Sequence, residues 1–204
     1  MSEAQAAYEL YHCLLRLGEK QSNPALEVLA GADRLEPGRH YPEPYLQFEG
    51  HGLRAYLHSH EHPGRQDQEQ GHFHLFVQWG HKDWAHLGAV SIDAQGQPRR
   101  WLTTNRWVTD ESWQSAAQLK SLELPTIDTS TLSLAETWLY AMLRLYRREL
   151  YSLWELRDQK LRSMEEGNIA DSLENRNYYI LSAMDIDLLA KLQSQLAETE
   201  TETV

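Results

Sequence analysis

Nine of the ten histidines fall between His40 and His86. Four of them stand two apart in two short segments, His58-Ser59-His60 and Gly71-His72-Phe73-His74. Alternate residues of a strand point to the same face. Two such strands side by side therefore gather four imidazoles. Neutral imidazole is the commonest protein ligand for transition metals. The pattern predicts a metal site on a β-hairpin, with His58, His60, His72 and His74 as ligands, and leaves the reaction open.

The flanking residues make the strand reading specific. Along 53–60 and 72–79, one alternate set is Ala55, Leu57 and Ser59 with Phe73, Leu75, Val77 and Trp79. That set is nearly all apolar and should meet the core. The other set is Arg54, Tyr56, His58 and His60 with His72, His74, Phe76 and Gln78, so all four histidines share it. A register that opposes His60 to His72 also opposes His58 to His74, with β-carbons roughly 4.5–5.5 Å apart. A slip by one residue would turn two imidazoles into the core.

The link between the two strands holds Glu61, His62, Asp67 and Glu69, any of which can add a ligand. Two or three histidines with a carboxylate leave coordination positions open, as in catalytic zinc and non-haem iron sites. A divalent transition metal, zinc or iron, is the expected cofactor. Tyr56 and Phe76 would wall the pocket. His86, Asn105 and Arg106 would join it if strand register allows, with Arg106 suited to a substrate carboxylate or phosphate. The leading expectation is a metal-dependent enzyme, hydrolytic or oxidative, with a small-molecule substrate. The alternative is a non-enzymatic metal-binding, sensing or protein-interaction domain with structural histidines. Saturation of the ligand set separates them, since a closed tetrahedron of histidines is structural and a vacant position is catalytic.

The elements that must position these residues read as an α+β fold in one domain spanning 1–204. Residues 1–45 are N-terminal helices and a loop. A helix is expected over 3–18, then a short one opened by Asn23-Pro24 and ending near Gly31. The stretch 33–44, with three prolines and Gly38, reads as loop. Residues 46–109 form a four-stranded antiparallel meander, with strands at 53–60, 72–79, 84–92 and 99–108. Residues 110–198 form a helical half. Thr109 or Asp110 caps a segment to about Leu122, and Ser133-Leu134-Ala135-Glu136 has the form of a capping box. That helix runs to about Glu166 and breaks at Gly167. A last helix starts at Asp171-Ser172-Leu173-Glu174, with Leu181, Met184, Leu188, Leu192 and Leu196 as its stripe. The tail 199–204 is expected to fray.

Composition bounds the rest. The chain has 204 residues, 41% hydrophobic and 24% charged, as ordinary globular domains do. A formal net charge of -11 opposes attraction to nucleic acid or anionic lipid. Cys13 is the single cysteine, so no intrachain disulfide or cysteine-based zinc site can form. No secretory signal and no stretch of roughly 20 apolar residues is visible, giving a cytoplasmic expectation. Arg144, Arg147 and Arg148 share a helix face by spacing, either solvated or a docking patch. The long C-terminal helices offer a homodimer surface.

Several known metal motifs share fragments of the histidine segments. Gly52 followed by His58-Ser59-His60 is similar to the start of the first cupin motif, but Gly64 and Arg65 stand where its glutamate belongs. His58, His60, Pro63 and Asp67 look like part of the JAMM metalloprotease motif, whose serine is replaced by Gly64. His58, His60 and His62 echo the HIT hydrolases, with Ser59 and Glu61 in place of hydrophobic residues. A fuller resemblance is to a bacterial family of unknown function. It rests on His-Ser-His, on Gly71-His72-Phe73-His74-Leu75-Phe76, on Ala85-His86-Leu87 with Ser91-Ile92-Asp93, and on Thr104-Asn105-Arg106-Trp107-Val108. It covers about 40–125 well and the helical remainder loosely. It implies a freestanding domain and supplies no substrate.

Overall fold

The alternation along the two histidine segments does produce paired strands, and they lie inside a larger sheet than the sequence pattern predicts. A computed structural model of the chain describes residues 1–29, 31–32, 34–62, 64–164 and 168–201. Its six strands are β1 (Tyr41–Phe48), β2 (Leu53–His58), β3 (Gly71–Trp79), β4 (Asp83–Ile92), β5 (Pro98–Thr104) and β6 (Ile180–Asp185). They lie in chain order and every neighbouring pair is antiparallel.

One sheet face carries Leu57, Phe73, Leu75, Val77 and Trp101 into the main core, where Phe73 meets Trp138 with ring centroids 5.7 Å apart. Trp138 belongs to α5 (Leu134–Leu145), a helix buried nearly all round and opened by the expected capping box of Ser133 and Glu136. Helix α1 (Glu3–Glu19) shares that core through Ala6, Leu10 and Leu17. The thiol of Cys13 donates to the Leu134 carbonyl at 3.3 Å, as a packed group does. The remaining helices are α2 (Pro24–Leu29), α3 (Arg106–Thr109), α4 (Ala116–Ser121), α6 (Arg147–Ser163), α7 (Ile169–Glu174) and α8 (Leu188–Thr201). Among the described residues, no helix is long and apolar enough to cross a membrane.

The sheet has six strands where four are expected, and each error has a physical reason. Pro42 and Pro44 argue for loop, but β1 is an edge strand whose outer side needs no N–H donors. Leu181, Met184 and Leu188 are spaced as on a helix. The chain instead ends α7 at Glu174, turns through 175–178 and pairs 180–185 with the free edge of β5. Tertiary pairing overrides the local period there. Helix α7 starts from Asn168, whose side chain accepts from the Ala170 amide, and not at Asp171. The fourth expected strand overruns. It stops at Thr104, and Asn105 caps α3. The single long helix expected from Leu134 is two helices meeting at Tyr146. The expected break at Gly167 and the end of the fraying tail, 202–204, lie outside the described residues.

Gly71 sets how closely β3 approaches β2 beside the histidines. A β-carbon there would stand 2.8 Å from the His58 carbonyl oxygen and 3.1 Å from Leu35. Backbone cannot yield as a flexible side chain does. Gly71→Ala is therefore expected to destabilise the fold by about 1–3 kcal/mol. A urea denaturation midpoint equal to that of the parent would contradict the close approach.

Candidate metal centre

Strands β2 and β3 pair with Leu53 opposite Val77, which sets His58 opposite His72 and Tyr56 opposite His74. This corrects the expected register by two residues, a shift that keeps every side chain on its face. His60 consequently lies beyond the end of β2. The ligand atoms of His58, His72 and His74 all fall within 4.8 Å of one another. Their burial is nearly complete, with His58 7% exposed, His72 3% and His74 0%.

The hydrogen-bond partners show what the cluster lacks. His58 Nε2 and His72 Nε2 face each other at 2.8 Å, so two neutral rings share one proton. His74 Nδ1 faces His86 Nε2 at 3.0 Å, and again only one of the two is protonated. With the proton on His74 Nδ1, His74 Nε2 is a bare lone pair. With it on His86 Nε2, neutral His74 must carry a proton on Nε2. In either case that nitrogen is buried with no hydrogen-bond partner, a costly state that a metal ion would relieve. His86 joins from β4 as the group that orients His74, and its Nδ1 stands 3.5 Å from Thr104 Oγ1. A ring nitrogen held this way fixes the tautomer of a histidine ligand.

Burial dominates the electrostatics. It pushes His58 down to about 3, helped by the neighbouring His60, His40 and His62. It pushes His86 down to about 3, helped by Arg157. His72 and His74 are held well below the ordinary histidine range, first by burial, then for His72 by His58 and His60 and for His74 by His72 and His58. At neutral pH the rings are uncharged and their lone pairs can bind a metal.

Tyr56 and Phe76 are both buried beside the cluster. Tyr56 stacks on His74 at 5.2 Å, on Phe76 at 5.6 Å and on His40 at 3.9 Å. On the other side lies the loop 59–70. His60 donates from Nδ1 to the Glu61 carbonyl at 2.9 Å and accepts at Nε2 from the Tyr179 hydroxyl. His62 stacks on Tyr179 at 4.6 Å. The loop is pinned by Arg100, which shares a row with His58, His72 and Ser91 across the sheet. Its guanidinium donates twice to Glu69, once at 2.9 Å, and to the Gly64 carbonyl at 2.7 Å. Burial opposes the charge on Glu69. Hydrogen bonds from Arg100, Ser91 and Gln66 nevertheless hold its carboxyl below the usual range.

The carboxylates of the loop are engaged elsewhere or exposed. Glu69 pairs with Arg100, Glu61 pairs with Arg65, and Asp67 is exposed. Asn105 is buried away from the triad, its amide donating to the Ser172 and Asn175 carbonyls. Arg106 forks between Glu174 and Asp110. Arg144, Arg147 and Arg148 line one surface pocket with Met1, Glu3 and Tyr151, but their exposure differs. Arg144 is buried and donates to the Met1 carbonyl at 2.8 Å, Arg147 donates to the Leu122 carbonyl at 3.0 Å, and Arg148 is exposed against Glu3. Tyr179 and the Arg100–Glu69 pair were not visible as site residues. Tyr179 lies 119 positions from His60, in a stretch whose spacing imitates a helix. A charge pair 31 residues apart has no local signature.

A family model described as a domain of unknown function (DUF6969) matches residues 4–186. No curated protein and no solved structure matches the chain significantly.

Two consequences follow from burial. The unfolded chain protonates its histidines near 6.5, whereas His58 and His86 resist protonation down to about 3. Between those values the unfolded state binds more protons. The metal-free protein should lose stability as pH falls through that window, by up to about 1.4 kcal/mol per pH unit for each ring. Urea midpoints measured across it should fall more steeply for the parent than for His86→Gln, and equal slopes would contradict the buried neutral state. Separately, Glu69→Ala leaves Arg100 buried and unpaired, at an expected cost of about 3–5 kcal/mol. An unchanged unfolding midpoint would show that the pair does not anchor the loop.

Proposed function

Since the chain belongs to the DUF6969 family, whose description assigns no activity, we propose from the site itself that it is a metalloprotein. One divalent transition-metal ion is held by His58, His72 and His74. The observation that carries this reading is the convergence of three buried imidazoles, one of them with a partnerless nitrogen.

The donor set favours zinc. Three neutral nitrogens with a water in the fourth position is an established form of catalytic zinc site. Non-haem iron oxygenases use two histidines and a carboxylate, and among the described residues no carboxylate joins the three imidazoles in one ligand cluster. Three uncharged ligands leave the full charge of the ion in place, which lowers the pKa of a bound water to about 7. That chemistry supports hydrolysis of a small molecule. His60 does not close the ligand set, because it lies beyond the end of β2 and outside the group whose ligand atoms fall within 4.8 Å of one another.

Protein equilibrated with zinc and then desalted should carry one equivalent by elemental analysis. A His72→Ala/His74→Ala variant, matched for folding by circular dichroism, should carry only traces. Equal metal in both would overturn the assignment.

A further inference from the structure

The histidines outside the triad are arranged as a path into it. His62 and His60 are both partly exposed, and their ring centroids lie 5.3 Å apart. Each also reaches His72, His62 at 5.4 Å and His60 at 5.3 Å, and His60 lies 4.7 Å from His58. Within the triad the spacings continue at 4.4 Å for His58–His72, 4.8 Å for His58–His74 and 4.9 Å for His72–His74. Two triangles of imidazoles thus share a corner at His72, one at the protein surface and one sealed beneath it.

The other sides of the triad are closed. The sheet itself lies beneath it, and Tyr56, Phe76, His86 and Thr104 are all 5% exposed or less. His40 is the remaining partly exposed ring, but it lies flat against Tyr56 and reaches only His58 of the triad, at 5.4 Å. A hydrated divalent ion cannot enter a dry cluster in one step, because it must exchange its waters for protein ligands as it goes. Successive imidazoles a ring apart provide that exchange.

We propose that His60 and His62 form an outer metal-binding station that captures a divalent transition-metal ion from solvent and passes it by ligand exchange to His72, His58 and His74. The tautomer of His60 suits this role. Its Nδ1 proton is committed to the Glu61 carbonyl, so Nε2 presents a lone pair, and the Tyr179 hydroxyl covers that lone pair. Tyr179 is thereby the latch of the station. An arriving ion takes the lone pair when the phenol turns away, each imidazole displaces one water, the proton that His58 and His72 share between their Nε2 atoms moves to a far ring nitrogen or to solvent as the ion is bound, and no electron is transferred. The Arg100–Glu69 pair holds the loop so that the station stays over the entrance.

This inference rests on the proposed inner site, and the two can fail separately. Stopped-flow absorption of cobalt(II) binding gives association and dissociation rates, and their ratio gives affinity. In His60→Gln/His62→Gln both rates should fall by the same factor, with affinity and stoichiometry unchanged. Tyr179→Phe uncovers His60 and should speed both rates. His40→Gln should alter neither. Unchanged rates in the double variant would overturn the station. So would a loss of affinity at an unchanged association rate, which would make His60 or His62 part of the final ligand set. Slowing by His40→Gln alone would place the entrance on the opposite side. Failure of the parent protein to bind cobalt at all would remove the inner site, and the station with it.

Discussion

The dehydration of imidazole nitrogens on one face of a β-sheet is the constraint around which this molecule is organised. A fully buried polar atom needs a partner. His58 and His72 satisfy each other, and His86 satisfies one nitrogen of His74. His74 Nε2 is left without a partner. The surrounding structure keeps it so: Tyr56 stacks on the His74 ring, Gly71 lets β3 approach β2 closely, and Arg100 ties the loop down. A fold that only needed a core would place apolar side chains here, as it does on the opposite face at Leu57, Phe73 and Leu75.

The two sheet faces divide the labour. The apolar face carries the main hydrophobic core, with α5 buried against it and α1 behind. That leaves the other face free to accept groups that stability alone would not select. Neutral histidines are the cheapest metal ligands to bury, since the empty site holds no charge, whereas a buried carboxylate requires a cation beside it. Glu69 illustrates the point, being buried only because Arg100 forks onto it. Arg100 and Glu69 thereby hold the loop beside the cluster.

The histidine face was legible from the sequence because a period of two fixes the side of every residue in a strand. An error of two in register moved His60 out of β2, but left His58, His72 and His74 on the same side. The meander was legible through its turns, as at Asp93-Ala94-Gln95-Gly96, where Asp93 accepts from the Gln95 and Gln97 amides. Both edge strands were hidden. Prolines mask β1, and helical spacing of Leu181, Met184 and Leu188 masks β6. The edge matters for the site, because pairing β6 with β5 is what carries Tyr179 to His60. Contacts that depend on how distant segments meet leave no mark in local spacing.

The central claim is that His58, His72 and His74 jointly ligate one ion. A crystal grown with zinc and measured on both sides of the zinc absorption edge tests it most directly. The account predicts one anomalous peak about 2.0–2.1 Å from a ring nitrogen of each of the three histidines. An empty cluster, with zinc confined to surface groups such as His51 or His81, would contradict it.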